Sequence, residues 1–332
     1  MDDPTGTVEM AAPPRVTAII IFLDGAGFIA QAIDSILGAQ AGVSLELLLV
    51  DDGSTDGATD IAARYADADP GRVRLLSHPG CANRGMAASR NLGLSHARGE
   101  FIAFLDCDDL WLPGKLAQQL AIFDADPSLG MVYGRTLIWH SWDATQAHAE
   151  DHFVPLGVEP DRRYESGALL ANLLCNRFQT PTTCNALLAR RACTAIGGFD
   201  DAFRGLYEDQ AFFARLELRY PVFVADACWA WYRQHLRPTP PFRRSSYFKD
   251  RRALVEHVYR DSRPHWVSLD ARTREVLRIE RFNARYPVLA AWMGPSREDD
   301  LRHRLALARA AGPRWRRGER DPAQGLPGDP PS

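Results

Sequence analysis

The sequence predicts an α/β fold, a mixed and mostly parallel sheet flanked by helices, with a helical extension after it. In the first half of the chain, short apolar runs typical of buried strands alternate with segments of helical spacing. One run, Phe101 to Leu105, leads directly into the acidic stretch 106–109. After Pro238 the composition changes, and arginine becomes frequent. These three observations set the fold class and its organisation.

The individual elements follow from their residues in chain order. Val16 to Leu23 is a run of apolar and β-branched residues, and apolar residues from Phe28 to Leu37 recur at helical spacing before Gly38. The other predicted strands are Leu45 to Val50, Val73 to Leu76, Phe101 to Leu105, Met131 to Tyr133 and Cys184 to Ala189. The other predicted helices are Met86 to His96, Pro113 to Phe123, a short one ending at Ile196, and Glu208 to Tyr220. Residues 140–180 lose this alternation, so we expect an irregular insertion there.

The composition divides the chain into four parts. We expect a disordered N-terminus over residues 1–14 and one α/β domain over residues 15–237. An arginine-rich helical extension follows over residues 238–311, and the Pro- and Gly-rich residues 312–332 are expected to be a disordered tail.

The overall composition excludes several classes of protein. The 332 residues are 46% hydrophobic and carry a net charge of −3, so no general affinity for nucleic acid is expected. No apolar run approaches the roughly 20 residues that span a membrane, and the first fifteen residues lack the basic and apolar regions of a secretory signal. The six cysteines include no Cys-x-x-Cys pair, which argues against a zinc site and a disulfide framework. A cytoplasmic protein is expected.

The acidic stretch Asp106-Cys107-Asp108-Asp109 is the strongest chemical signal in the sequence. Carboxylates crowded at the end of a buried strand repel one another and are costly to desolvate, so a cation is expected among them. Oxygen ligands favour a hard divalent ion, and Mg²⁺ or Mn²⁺ commonly completes its coordination with substrate phosphates. The sequence therefore predicts a metal site at this strand end.

Two other motifs point to other enzyme classes. Gly25-Ala26-Gly27-Phe28-Ile29-Ala30 fits the dinucleotide-binding pattern, and Asp51 and Asp52 follow at the distance of a ribose-binding acid. However, residues 22–24 separate its first glycine from the isoleucine run, and this reading leaves the acidic stretch without a role. An aspartyl phosphatase would use the same acidic stretch, but its motif continues into residues that this chain lacks.

Three stretches together resemble the family-2 glycosyltransferases of the GT-A fold, within the nucleotide-diphospho-sugar transferase superfamily. The stretches are Ile19 to Leu37, Leu45 to Gly57, and Asn83-Arg84-Gly85 through Ser89-Arg90-Asn91-Leu92-Gly93 to Asp109. A later match is Gly197-Gly198-Phe199-Asp200 followed by Tyr207-Glu208-Asp209-Gln210. The resemblance covers residues 16 to about 236 and implies a Rossmann-like sheet.

The resemblance also implies roles for individual residues. Asp209 would be the catalytic base, with Glu208 as its partner in an acidic pair. The implied metal ligands are Asp106, Asp108, Asp109 and His235. The implied nucleotide-binding residues are Leu23, Asp24, Asp51, Asp52, Asn83, Arg90 and Asp106. The family's usual tyrosine-asparagine pair is replaced here by Leu23-Asp24.

The function that the resemblance implies is a metal-dependent, inverting transfer of a sugar from a nucleoside diphosphate, with a UDP-sugar favoured, to a hydroxyl acceptor. Mg²⁺ or Mn²⁺ is the expected cofactor, and the arginine-rich extension is a candidate surface for peripheral membrane contact. Two alternatives stay open at this point, an NAD-dependent dehydrogenase using Gly25 to Ala30 and an inactive nucleotide-sugar binder.

Overall fold

The computed structural model describes residues 13–40, 42–146, 150–175, 178–204, 206–235 and 244–286. The strands are β1 (Val16–Phe22), β2 (Leu45–Asp51), β3 (Val73–Ser77), β4 (Phe101–Asp106), β5 (Leu110–Trp111), β6 (Met131–Trp139), β7 (His152–Phe153), β8 (Arg162–Tyr164), β9 (Leu187–Ala189) and β10 (Val222–Arg233). The helices are α1 (Ile29–Leu37), α2 (Ala58–Ala68), α3 (Met86–His96), α4 (Lys115–Ala125), α5 (Leu170–Cys175), α6 (Arg190–Ala195), α7 (Glu208–Glu217), α8 (Arg244–Ser262) and α9 (Ala271–Arg285).

The described strands form one mixed sheet in the order β3-β2-β1-β4-β9-β6-β10-β5, with β7 beside β6 and β8 beside β10. The long pairs β1-β2, β1-β4, β2-β3 and β6-β10 are parallel. The short strand β9 runs antiparallel between β4 and β6. This confirms the predicted fold class.

The order of the first four strands positions the site. The chain builds β1, β2 and β3 outward in one direction and then returns to place β4 on the other side of β1. Ligands of such sheets bind at the carboxyl ends of the strands beside this reversal. All seven residues of β1 and of β2 are buried, because helices cover both faces of a sheet of this kind. Phe22 and Asp106 end the two strands that meet at the reversal.

Several elements differ from the sequence prediction. Helix α2 was not predicted, and β6 continues six residues beyond Tyr133. Strand β10 was not predicted either, and a register shift between Val224 and Cys228 interrupts it. Residues 140–180, expected to be irregular, contain β7, β8 and α5. The predictions for residues 1–12 and 312–332 lie outside the described residues.

Two helices of the predicted extension are described, and they pack on the α/β domain. Helix α8 contacts α7, and α9 contacts α5. Arg251 of α8 donates a hydrogen bond to the carbonyl of Leu174 and pairs with Glu280 of α9 at 2.7 Å. His257 lies 3.4 Å from Asp200 in the loop before α7. Among the described helices, none combines the length and apolar character needed to cross a membrane.

The last residue of α7, Glu217, is a buried carboxyl group without a partner. Only 2% of the residue is exposed, and neither side-chain oxygen has a hydrogen-bond partner within the part of the chain that is described. Burial raises the pKa of Glu217 from 4.5 to about 8. The folded protein therefore holds this carboxyl group protonated at neutral pH.

Replacement of Glu217 by Gln should change the pH dependence of stability. Because the folded state binds this proton more tightly than the unfolded state, stability falls by up to about 1.4 kcal/mol per pH unit between pH 4.5 and about 8. The Gln variant lacks this loss, so its free energy of unfolding relative to that of the parent, measured with urea, should rise from about pH 5 to about pH 8. A difference in free energy of unfolding that does not change with pH would contradict the raised pKa of Glu217.

Candidate functional site

The acidic stretch after β4 presents its three carboxylates to different surroundings. Asp106 is about a quarter exposed, and its two oxygens accept hydrogen bonds from Arg90 at 2.8 Å and Thr183 at 3.1 Å. The side chain of Asp108 is one third exposed and lies 2.9 Å from Nε2 of His235. Asp109 is fully buried. The sheet therefore directs two of the three carboxylates toward solvent.

Asp109 is part of the protein interior. Its Oδ1 accepts a hydrogen bond from the backbone N–H of Arg233 at 2.9 Å, and its Oδ2 has no partner among the described residues. Burial, together with the negative charges of Asp108 and Asp106, raises the pKa of Asp109 well above its usual range. Burial and Asp106 also raise the pKa of Asp108, while His235 opposes this change. The cluster therefore favours the uptake of a proton or a cation.

The side chains at this strand end fit a divalent cation. Asp106 and Asp108 offer carboxylate oxygens and His235 an imidazole nitrogen, a set that suits Mg²⁺ or Mn²⁺ when phosphate oxygens supply the other ligands. In the described ranges, no three His, Cys, Asp or Glu side chains already converge as a complete metal site. A metal here would therefore complete its coordination with oxygen ligands from the substrate or from water.

Arg90 connects the acidic stretch to the acidic pair that begins α7. Its guanidinium group donates at 2.8 Å both to Asp106 and to Glu208, and only 2% of the residue is exposed. Burial alone would lower the pKa of Arg90, but Asp106 and Glu208 together raise it above its usual value. The ring of Phe199 lies 5.5 Å from the guanidinium carbon. Arg90, which the resemblance implied as a nucleotide-binding residue, is thus enclosed between two carboxylates of the site.

Asp209 lies beside this ion pair and forms no ion pair of its own with any described residue. It accepts a hydrogen bond from the backbone of Gln210 at 2.7 Å. Burial and the neighbouring charge of Glu208 raise the pKa of Asp209 to about 7, although Arg90 opposes the shift. A carboxyl group with this pKa can take up a proton near neutral pH. The two acids of the pair therefore differ in chemistry, because only Glu208 is neutralised by an arginine.

The Gly197-Gly198-Phe199-Asp200 turn holds the start of α7 against α3. The side-chain amide of Asn91 accepts from the N–H of Phe199 at 2.8 Å and donates to its carbonyl at 2.9 Å. Gly198 has φ +72°, and a Cβ there would lie 2.5 Å from Asn91. The turn therefore needs glycine both for its conformation and for its contact with α3.

The predicted nucleotide side is built from two buried aspartates that organise loops. Asp51 accepts from the N–H groups of Gly53 and Ser54 and from the Thr59 hydroxyl, and these bonds hold its pKa below the usual value although burial alone would raise it. Asp52 accepts from the backbone N–H groups of Arg84 and Gly85. Both carboxylates thus fix the conformation of the loops that follow the strand ends.

The remaining predicted nucleotide residues face solvent at the same edge. Leu23 is 46% exposed, and Asn83 is exposed on the loop that Asp52 holds. Asp24 has φ +51° and accepts hydrogen bonds from the backbone and hydroxyl of Thr55. Together they border an open surface at the carboxyl ends of β1 and β2.

The dinucleotide-like motif has a different use in this fold. A Cβ on Gly25 would lie 2.6 Å from Sγ of Cys107, so the glycine is required by its contact with the acidic stretch. Phe28 from the same motif packs against His235, with ring centroids 5.3 Å apart. The motif therefore supports the acidic site.

Sequence reasoning did not identify Thr183, Arg233 or Trp142 as part of the site. Thr183 donates to Asp106, Arg233 donates to the acidic stretch, and Trp142 contacts His235. Thr183 and Trp142 lie in residues expected to be irregular or between predicted elements, and no local pattern marks them. The resemblance implied a role for His235, but the hydrogen bonds of Arg233 to Asp108 and Gln31 are visible only in the structure.

A mostly parallel sheet with an acidic stretch at the β1-β4 reversal and an acidic pair opposite defines the GT-A class of nucleotide-sugar-binding folds. The glycosyl transferase family 2 matches residues 17–196 of the chain. The chain belongs to this family.

Relatives and solved structures agree with this assignment. An uncharacterized glycosyltransferase of Nostoc sp. is 32% identical over 37% of this chain and 37% of its own length. The succinoglycan biosynthesis protein ExoO of Rhizobium meliloti is 41% identical over 34% of this chain and 30% of its own. The matched stretch thus spans about a third of the length of these curated relatives.

The fold is similar to that of two solved proteins. The S. aureus TarS 1–349 structure in complex with UDP-GlcNAc has a TM-score of 0.61 and 16% identity, and the alignment covers 88% of this chain and 79% of that one. The mannosyltransferase PcManGT from Pyrobaculum calidifontis, in complex with GDP-Man and Mn²⁺, has a TM-score of 0.54 and 20% identity, with 90% and 81% covered. The dehydrogenase alternative finds no support in these comparisons.

Replacement of Arg90 by Met should strongly destabilise the protein. The change leaves the carboxylates of Asp106 and Glu208 without their shared cation, and breaking a buried ion pair in this way costs about 3–5 kcal/mol. Replacement by Lys should recover only part of this, because an ammonium group lacks the planar fork that reaches both partners. Urea unfolding measures the loss, with the exposed Arg64→Met as the matched control. Equal free energies of unfolding for Arg90→Met and Arg64→Met would contradict the stabilising role of the Arg90 bridge.

Proposed function

We propose that the protein is a metal-dependent, inverting glycosyltransferase that moves a sugar from a nucleoside-diphosphate sugar to a hydroxyl group. The observation that carries the proposal is that the two acids of the pair, Glu208 and Asp209, have different surroundings. Glu208 is bound to Arg90 at 2.8 Å, whereas Asp209 has a pKa raised to about 7. A base of this kind suits the activation of an acceptor hydroxyl near neutral pH.

The donor would bind at the carboxyl ends of β1, β2 and β4. Asp106, Asp108 and His235 would hold Mg²⁺ or Mn²⁺, which when bound supplies positive charge for the diphosphate leaving group. Asp109 keeps the acidic stretch in place through its hydrogen bond from Arg233. Leu23, Asp24 and Asn83 would border the nucleoside, and Asp51 and Asp52 hold the loops around it. A UDP-sugar is favoured as donor, since the TarS structures contain UDP and UDP-GlcNAc.

The acceptor hydroxyl would approach from the side of α7. Asp209 would take its proton as the oxygen attacks the anomeric carbon, and the bond to the diphosphate oxygen breaks on the opposite face of the sugar. A single displacement of this kind inverts the configuration at that carbon. Glu208 and Arg90 would hold Asp209 at a fixed distance from Asp106. The similarity to ExoO supports a role in polysaccharide biosynthesis.

The cellular location proposed is the cytoplasm. Cys184 and Cys193 are buried within the domain as thiols that form no disulfide. Unpaired thiols are the ordinary state of cysteine in a reducing compartment.

We also propose that α9 contacts an anionic membrane surface. Ile279 and Phe282 are 46% and 37% exposed and, with Glu275, lie on the side of α9 opposite its buried Leu277. Tyr286, which is 52% exposed, follows the last residue of the helix. The exposed arginines at 272, 278 and 285 flank this apolar stripe. An apolar stripe bordered by arginines is typical of helices that lie in the interface of anionic lipids.

Titration of the protein with UDP, GDP and NADH, each with Mn²⁺ and again with EDTA, tests the proposed donor site. UDP should bind in the presence of Mn²⁺ and lose most of its affinity in EDTA, because metal and diphosphate share ligands. Asp108→Asn should weaken the Mn²⁺-dependent part by about tenfold or more, whereas the exposed Asp60→Asn should not. NADH binding that ignores EDTA would instead favour the dehydrogenase.

Replacement of Asp209 by Asn should abolish transfer while leaving UDP binding intact. Loss of a general base lowers the rate by about 10²–10⁴-fold. In the parent, the rate should rise with pH up to about 7 and then level off, because only the deprotonated carboxylate accepts a proton. Unchanged transfer by the Asn variant would refute the base assignment. UDP binding without transfer in the parent would leave the inactive binder as the better description.

Vesicle co-sedimentation tests the proposed membrane contact. The protein should sediment with phosphatidylglycerol vesicles and much less with phosphatidylcholine vesicles, because the flanking arginines attract anionic headgroups. Ile279→Ser with Phe282→Ser should reduce binding, whereas Phe153→Ser, which changes an exposed aromatic residue on β7, should not. Equal binding by all three proteins would exclude α9 as the contact.

A further inference from the structure

An aromatic cluster encloses the imidazole of His235. The centroid of the His235 ring lies 5.3 Å from that of Phe28 and 5.2 Å from that of Trp142, both in edge-on arrangements. Phe28 and Trp142 are themselves 5.6 Å apart, at an interplanar angle of 86°. The three rings belong to the loop before α1, the segment after β6 and the end of β10. Three parts of the chain thus meet at one candidate metal ligand.

Trp142 is fixed to the residue beside His235. Its indole N–H donates to the carbonyl of Gln234 at 2.7 Å. The segment that carries Trp142 is held in turn by Asp151, which accepts hydrogen bonds from the backbone of His140 and Ser141 and from the Ser141 hydroxyl. The indole therefore has a defined position relative to β10.

The same cluster holds Asp108 through Arg233. The guanidinium of Arg233 lies 4.7 Å from the ring of Phe28 and 4.8 Å from that of Trp142. Its Nε donates to the backbone carbonyl of Asp108 at 2.6 Å. The rings thus contact the imidazole of His235 directly, and they are connected to the backbone of Asp108 through Arg233.

His235 needs this support because of where it lies. It follows the last residue of β10 by two positions and its side chain is one third exposed, with a hydrogen bond to Asp108. A metal-ligating imidazole must be held in one orientation, and groups that orient it commonly affect metal affinity as much as ligands do.

We propose that Trp142, together with Phe28, is a positioning residue that orients His235 for the cation and diphosphate. The proposal rests on the function proposed above. It assigns part of donor binding to the segment after β6, and it gives Phe28 of the dinucleotide-like motif a role. Neither Trp142 nor Phe28 contacts the reacting atoms; both act through His235.

Calorimetric titration with Mn²⁺ alone and with Mn²⁺ plus UDP tests this proposal without measuring transfer. Trp142→Leu should weaken Mn²⁺ binding about tenfold. Trp142→Phe keeps a ring but loses the bond to Gln234, so its loss should be smaller. Trp266→Leu, a matched change on the extension, should bind as the parent does. The imidazole NMR signals of His235 in the metal-free protein should shift in both Trp142 variants and not in the Trp266 variant.

A double-mutant cycle with His235→Ala separates positioning from general damage. If Trp142 acts through His235, Trp142→Phe should have no further effect on Mn²⁺ affinity once His235 is absent. Additive losses would overturn the proposal, as would parent-like affinity and NMR signals in both Trp142 variants. If His235→Ala itself leaves Mn²⁺ affinity unchanged, the metal assignment in the proposed function fails and the positioning role fails with it. Loss with His235→Ala but not with Trp142→Phe or Trp142→Leu overturns the positioning role alone.

Discussion

The structure depends most on one buried guanidinium group. Arg90 lies between Asp106, at the end of a central strand, and Glu208, at the start of the helix that faces it. Without this cation, the carboxylates on the two sides of the cleft would repel one another across a poorly solvated space. The bridge therefore ties the start of α7 to the end of β4 and neutralises Glu208 of the acidic pair. In the proposed function, metal binding and base catalysis would be linked through this single side chain.

The other acidic residues of the site differ in their burial and in their hydrogen-bond partners. Asp51, Asp52 and Asp109 are buried and accept hydrogen bonds from backbone N–H groups, and Asp51 also accepts one from the Thr59 hydroxyl, so they hold the loops at the strand ends. By contrast, the side chain of Asp108 is one third exposed, and the pKa of Asp209 is raised to about 7, as the roles proposed for them would require. Some aspartates of these motifs thus hold the backbone in place, and others leave a carboxylate available to a ligand. The extent of burial distinguishes the two groups.

Much of this fold could be predicted from the sequence, because β1, β2 and β4 are continuous apolar runs and the motifs follow them. Helix α2 was not predicted because its apolar positions, although at helical spacing, are mostly alanine, which gives a weak hydrophobic signal. Strand β10 was not predicted because its irregularity after Val224 disturbs the alternation. The enclosure of Arg90 escaped for another reason. Its partners lie 16 and 118 residues away, and no local pattern reports such distances.

That separation of 118 residues also bears on how the protein folds. Strands β1, β2 and β4 all precede α7 in the chain, so they can pair before α7 has docked, but the bridge to Glu208 forms only afterwards. Long-range contacts of this kind are slow to form because a large loop must close first. In a chain still emerging from the ribosome, the strands that carry the proposed nucleotide site would therefore form before Glu208 is synthesised. The complete proposed site would form in the last step of folding.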